Sequence, residues 1–405
     1  MREIIDRAAA LSGEIIRDRR ELHKIPEPGV YLPKTSAYVK SRLKERGIAH
    51  RDCGVHSEPD RKRILSVGYQ DMPESTGVTA LIGQGKPCIL LRADMDALPI
   101  RETTGLPFAA DSPFGHMCGH DSHTAMLLGA ARILKEMEGS LKGSVKLMFQ
   151  PGEELGYGSR TMVEDGILEN PAVDAALAIH VMSQIPAGKA QYSPGVASSS
   201  LDTFIVKIQG RGGHSSAPQD TVDPNVIAAQ LYNAVYLVAA REVDPKAFVV
   251  LNALTKNSGV SNVIPDSAEF HFGFRTLDLA ARDHLIKRMP EIIEKYVSAW
   301  RGTCEIIQFN TPSTVCDEAF GAVLEPYVGE VLGREQVSTA PPMAGAEDFG
   351  YVSAKTPAMF LQLGAGGPGS YPLHNPNMTL DESVFALGSA IYANCAAEWL
   401  KKQSL

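Results

Sequence analysis

The apolar positions of the chain change rhythm along its length, and those changes mark out its elements. Helical spacing fills residues 3–24 and 34–48. The runs 77–82 and 88–91 read as strands, the second continuously apolar as in a strand buried on both faces. It runs into Arg92-Ala93-Asp94-Met95-Asp96, which sets charge at a strand's C-terminal edge, where open α/β sheets keep their sites. A helix follows over 121–137, with Met126, Gly129, Ala130, Ile133, Leu134 and Met137 on its buried face. Strand 144–149 is stopped by Pro151 and Gly152, just before Glu153 and Glu154. A helix over 158–165 leads to the apolar strand 175–179, which ends in His180.

Near Lys189 the rhythm becomes a strict alternation. Phe204, Val206 and Ile208 face one way and Ile205, Lys207 and Gln209 the other, as in a half-exposed strand. A helix over 224–240, a strand over 248–254, a strand over 269–275, a helix over 279–299 and a strand over 304–309 complete a β-α-β-β-α-β order. The first pattern then returns, with a helix over 317–332, an apolar strand over 358–363, a glycine-rich loop leading to His374 and a helix over 382–402. The expected fold class is α/β. Residues 1–188 and 311–405 form one domain with a central mixed sheet flanked by helices, and 189–310 form an inserted, ferredoxin-like α+β domain.

Composition narrows the picture. At 405 residues, two domains are expected rather than one core. The 44% apolar and 21% charged content is that of an ordinary soluble protein. A net charge of −8 argues against nucleic-acid or anionic-membrane partners. No apolar run reaches membrane-span length, and the N-terminus is a charged amphipathic helix rather than a signal peptide. The six cysteines are scattered without a disulfide spacing, so a reduced, cytoplasmic setting is expected and Cys118 can stay a thiol.

The candidate chemistry centres on Phe114–His123, where Cys118 and His120 stand two apart beside two glycines, in a loop at a helix start. Thiolate and imidazole suit borderline-soft divalent metals. Three strand ends bring further site-type residues, so Cys118, His120, Glu153, Glu154, His180 and His374 form one candidate set. That is more than one zinc ion needs, and two ions sharing a bridging group would use them all. One of Glu153 and Glu154 can bind metal while its neighbour serves as base and acid; the residues alone do not say which.

The segments LRADMDALP, GHMCGHDSHT, FQPGEE, AIHV, GGHSSAP, NVIPD, AGAEDF and LHNP together resemble the metal-dependent aminoacylase and carboxypeptidase family. The similarity is greatest to the branch of hippurate hydrolase, indole-acetyl-amino-acid hydrolases and N-acetyldiaminopimelate deacetylase. The resemblance spans nearly the whole chain. It implies a two-metal amidohydrolase whose inserted domain is a lid that commonly forms a homodimer. It implies that Cys118, His120, Glu154, His180 and His374 hold the metals and that Glu153 is the general base and acid. It places Asp94 behind the metals, orienting a ligand. His214 is implied to reach a neighbouring subunit's site and stabilise the oxyanion, while Asn262 and Arg275 hold the substrate's carboxylate. Arg275 also lies opposite the phenylalanine face of its strand, free to meet a ligand.

Three positions depart from the family pattern. Arg92 stands where distant branches carry a histidine ligand, Gln219 stands where relatives carry a histidine, and 256–261 lacks the expected glycine-alanine pattern. The last two leave the chemistry intact and bear on the substrate side chain. The expectation is a cytoplasmic homodimer that hydrolyses N-acyl or N-aroyl amino acids with two divalent ions, Zn²⁺, Mn²⁺, Co²⁺ or Ni²⁺. A dipeptidase or carboxypeptidase is the alternative.

Overall fold

The structure, a computed structural model, describes residues 2–54, 75–256 and 260–404. Three residues of the 256–261 segment therefore lie outside it. The chain divides into two compact units: Met1–Ala197, Thr314–Pro341 and Asp348–Leu405 form one, Ser198–Ser313 and Pro342–Glu347 the other.

The first unit is built on an 8-stranded mixed sheet. Its strands run in the order His50–Asp52, Val78–Gly83, Ser144–Gln150, Cys88–Asp94, Ala175–Pro186, Ala358–Gly366, Ala190–Tyr192, Val337–Thr339. The four strands from Ser144–Gln150 to Ala358–Gly366 are parallel to one another. The strands Cys88–Asp94 and Ser144–Gln150 are buried at every position, as continuous apolar runs require. Helices His120–Glu136 and Phe385–Gln403 pack on the sheet and on each other through Met126, Ile391 and their neighbours.

Two expectations are corrected here. The N-terminal helix is two, Arg2–Ala10 and Ser12–His23, hinged at Leu11, because Ser12 and Gly13 follow one another and neither holds a helix well. The strand from Ala175 does not end at His180 but continues to Pro186. What ends is its pairing on one side. Strand Cys88–Asp94 accompanies it only as far as Arg92 opposite Ala178, while strand Ala358–Gly366 follows it to Pro186. The sheet splays after Ala178, and His180 lies where it opens.

The second unit carries a four-stranded antiparallel sheet in the order Val249–Lys256, Ser267–Thr276, Leu201–Gln209, Thr303–Thr311. Helices Pro224–Arg241 and Leu279–Ala299 cover one face and bury Phe204, Phe270, Phe272 and Phe274. This unit begins at Ser198, later than the change of rhythm at Lys189. Strand Ala190–Tyr192 still belongs to the large sheet and is too short to show a pattern of its own. Met343–Ala346 pairs with Ser198–Ser199, which carries 342–347 into the second unit.

Candidate metal centre

The site of the first unit grows from the splay. Gly119 caps helix His120–Glu136 with φ at 89°, a conformation glycine adopts freely. A Cβ there would come within 2.5 Å of Val181, so the loop before the helix can lie against the splayed strand only with glycine at that position. This lays Cys118 beside His180, with Sγ 3.5 Å from Nε2. The side chain of His120, the first helical residue, is fully buried. Gln150 ends its strand, and the turn that follows presents Glu153 and Glu154, both half-buried. His374 takes a left-handed φ of 65°, uncommon for a residue with a Cβ, and its N–H donates to the Met117 carbonyl at 2.7 Å. Its Nε2 then stands 3.4 Å from Glu154 Oε1.

The fold therefore brings together Cys118, His120, Glu153, Glu154, His180 and His374. Ligand atoms fall within 4.8 Å of one another in the sets Cys118–His120–His180, Cys118–Glu154–His374 and His120–Glu153–Glu154. Two of these atoms, His120 Nε2 and Glu154 Oε1, are buried without a hydrogen-bond partner, at 3.8 Å from each other. Leaving a buried polar atom without a hydrogen bond costs about 1–3 kcal/mol. Such atoms facing one point among a thiol and further imidazoles are what a cation would satisfy, so the residues fit a metal.

Hydrogen bonds on the far side of each ring fix which nitrogen faces inward. His180 Nδ1 donates to the Val181 carbonyl at 2.7 Å, leaving the Nε2 lone pair toward Cys118. His120 Nδ1 donates to Asp96 Oδ1 at 3.2 Å, leaving its Nε2 toward Glu154. Charge follows the same logic. The neighbouring Cys118 and Glu154 push His374 up to about 10. Burial opposes charge on His120, but Asp94, Cys118 and Asp96 raise it well above the usual histidine range. Burial, and then the Glu154 charge, raise the Cys118 thiol. Burial holds His180 well below the ordinary value, with His123 reinforcing it. Surroundings that draw protons to His120 and His374 draw a divalent cation for the same reason.

Asp94 lies beside the cluster, buried. It does not hydrogen-bond one of the six residues above. Its Oδ1 accepts from His123 Nδ1 at 2.5 Å and its Oδ2 from Arg92 at 2.7 Å, while His120 Nε2 lies 3.8 Å off. Arg92, fully buried, is shared with Gln150 and Asp348. The carboxylate that holds His120 is Asp96, which also accepts the backbone N–H groups of Glu153 at 3.1 Å and Glu154 at 3.0 Å. The Asp-x-Asp spacing was the only signal in the sequence for this role.

In the second unit the short pairing of Gly213–His214 with Val263–Ile264 sets His214 opposite Val263, next to Asn262. Both His214 and Asn262 are exposed, and His214 Nδ1 accepts from Ser216 at 2.7 Å. Arg275 is half-buried on the sheet face away from Phe274, across from Val250. Gln219 is exposed in a short turn after Ala217.

A buried cluster of thiol, imidazole and carboxylate where the parallel strands open fits a metal centre, and comparison with known proteins makes the chain a metal-dependent hydrolase acting on amide bonds. Residues 90–398 match the model of peptidase family M20/M25/M40, and the chain belongs to that family. It is 34% identical to an N-acetyl-L-cysteine deacetylase of Bacillus subtilis, over 94% of this chain and 87% of that protein. It is 33% identical to thermostable carboxypeptidase 2 of Saccharolobus solfataricus, over 96% of each. A solved structure from Bacillus subtilis, a dinuclear metal-binding peptidase of the M20 family, superposes with a TM-score of 0.73 at 29% identity, covering 97% of this chain and 99% of that one. Among the described residues no helix is long and apolar enough to cross a membrane, and the six cysteines are free thiols.

Proposed function

We propose that the chain hydrolyses the amide bond of N-acyl amino acids, N-acetyl or N-aroyl, using two divalent ions held by Cys118, His120, Glu154, His180 and His374. The observation that carries this reading is the pair of stranded buried atoms, His120 Nε2 and Glu154 Oε1, among those five donors. Zn²⁺, Mn²⁺, Co²⁺ and Ni²⁺ all accept this mixed donor set. The ions, when bound, supply Lewis acidity that activates water and polarises the carbonyl.

The residues of the chain do the rest. Glu153 takes the proton of the attacking water as its oxygen bonds to the carbonyl carbon. It returns that proton to the nitrogen as the C–N bond breaks, releasing acid and amine. Both glutamates hang from Asp96 by their backbone, so Glu153 is held while its neighbour faces the cluster. The second unit acts as a ferredoxin-like lid and dimerisation domain. From it His214 stabilises the oxyanion in a neighbouring subunit, and Asn262 and Arg275 bind the substrate's carboxylate. Support for a homodimer is the sheet's edge strand Val249–Lys256, which exposes Val250 and Leu254. The free thiols fit a reducing, cytoplasmic compartment.

The carboxypeptidase relative supports a second reading, cleavage of short peptides at a free C-terminal residue. Elemental analysis together with a panel of N-acetyl, N-benzoyl and dipeptide substrates, each metal added back after chelation, decides. Two ions per chain and selective turnover of the acyl amino acids are expected. Turnover of dipeptides alone overturns the first reading in favour of the second.

A further inference from the structure

Where strand Cys88–Asp94 leaves strand Ala175–Pro186, the N–H groups on that edge lose their ladder partners. Two side chains replace them. The Tyr392 hydroxyl accepts the Ile179 N–H at 2.9 Å and donates to the Arg92 carbonyl at 2.6 Å, bridging the last point where the strands still meet. One step on, His123 Nε2 accepts the Val181 N–H at 2.8 Å. An imidazole that accepts there must carry its proton on Nδ1, and that nitrogen donates to Asp94, itself pinned by Arg92. His123 is thus a neutral ring of fixed tautomer standing in for a missing strand.

The residue it grips is the one that sets His180. The Val181 N–H goes to His123, and the Val181 carbonyl accepts from His180 Nδ1 at 2.7 Å. The two rings lie edge to face, 4.4 Å between centroids. With Val181 held at both ends, His180 keeps its proton on Nδ1 and turns Nε2 toward Cys118.

We infer that His123 is a positioning residue: through Val181 it fixes the ring orientation and tautomer of His180, and the chain Arg92–Asp94 holds His123 in turn. This rests on the reading of His180 as a metal ligand given above. It gives Arg92 a purpose, since its buried guanidinium anchors the carboxylate that holds His123.

The test uses the full chain labelled with ¹⁵N at histidine, free of metal and then titrated with Zn²⁺. Long-range ¹H–¹⁵N correlation reads each ring's tautomer, and His180→Ala identifies the His180 signal. The metal-free wild type is expected to show His180 protonated on Nδ1 alone. His123→Ala is expected to show a mixture of tautomers and a ~10- to 100-fold weaker Zn²⁺ affinity. His123→Gln, whose carbonyl can accept from Val181, is expected to recover both readouts better than His123→Asn, which reaches only Asp94. That comparison decides the matter even where the alanine variant fails to fold. A wild-type His180 protonated on Nε2 overturns the inference, and so does an unchanged His180 signal in both the alanine and asparagine variants. If the tautomers respond as expected but the wild type takes up no Zn²⁺, the metal reading fails and the positioning role of His123 stands.

Discussion

Asp96 accepts a hydrogen bond from His120 Nδ1 at 3.2 Å, and the same carboxylate takes the backbone N–H groups of Glu153 and Glu154. One side chain therefore aims an imidazole and locates both glutamates. An asparagine cannot accept all three bonds, because its amide NH₂ would face a donor. Asp96→Asn should weaken metal binding by ~10- to 100-fold and lower turnover even with metal in excess. Competition against a chelator of known affinity measures the first, and an unchanged affinity would detach Asp96 from the site.

Glu153 and Glu154 are neighbours with separate tasks in the proposed reaction, and two variants separate them. Glu153→Gln should keep its metal and lose at least ~10²-fold in turnover. Glu154→Gln should lose metal, because its Oε1 stands 3.4 Å from His374 Nε2 and 3.8 Å from His120 Nε2. Elemental analysis beside kcat distinguishes the two. Full turnover in the Glu153 variant removes that residue from its role.

Metal uptake should release protons. Without a cation, the neighbouring Cys118 and Glu154 push His374 up to about 10, and burial raises the Cys118 thiol. Both are protonated at neutral pH, yet a ligand must be a bare imidazole or a thiolate. His120, raised well above its ordinary value, gives up a further proton on ligation, so binding at pH 7 should expel roughly three protons, and affinity should fall as the pH is lowered. Calorimetry in buffers of different ionisation enthalpy counts them. His374→Ala should lower the count by about one, and a count near zero in the wild type would contradict these protonation states.

The parts of this site that could be read from the sequence are those that neighbour each other in the chain. Cys118 with His120, and Glu153 with Glu154, declare themselves because a loop or turn must present them together. His180 and His374 carry no such local mark. His180 sits within a strand rather than at its end, and the opening beside it is made by a different strand turning away. Asp96 and His123 carry no role legible in the sequence, because their partners lie 57 and 58 residues away, at Glu153 and Val181, and no spacing encodes such bonds. The strands long enough to show a rhythm were legible, whereas Ala190–Tyr192 and Met343–Ala346 are too short, which is why the unit boundaries moved.

Behind the metal loop, His23 links helix Ser12–His23 to the start of the helix that carries His120. Its Nδ1 meets Asp121 Oδ2 at 2.7 Å and its Nε2 meets Glu102 Oε2 at 2.9 Å. Ionised carboxylates only accept, so both ring nitrogens must carry protons and the buried ring is an imidazolium. Burial opposes that charge and Arg19, 2.9 Å from Asp121, opposes it too, but Asp121 and Glu102 together raise His23 above its ordinary value. His116 lies on one side, 6.1 Å between ring centroids, and burial keeps it neutral, at about 3. A raised value means that the stability from His23 is complete below its unfolded value near 6.5 and is lost as the pH rises through the folded value. Asp121 works in the opposite sense. Burial opposes its charge, but Arg19 and His23 hold it far below the usual carboxylate range, so its contribution is present above about 3.9 and is lost only in strong acid. Between those limits both contribute fully. Urea unfolding at pH 5, 6, 7, 8 and 9 should show the wild type losing up to about 1.4 kcal/mol per pH unit above pH 6.5 from this group. His23→Gln should be less stable at pH 5–6 and should lack that slope, so the two proteins converge as the pH rises. Parallel curves across the range would show that His23 is neutral in the fold and that its two carboxylate contacts carry no charge pairing.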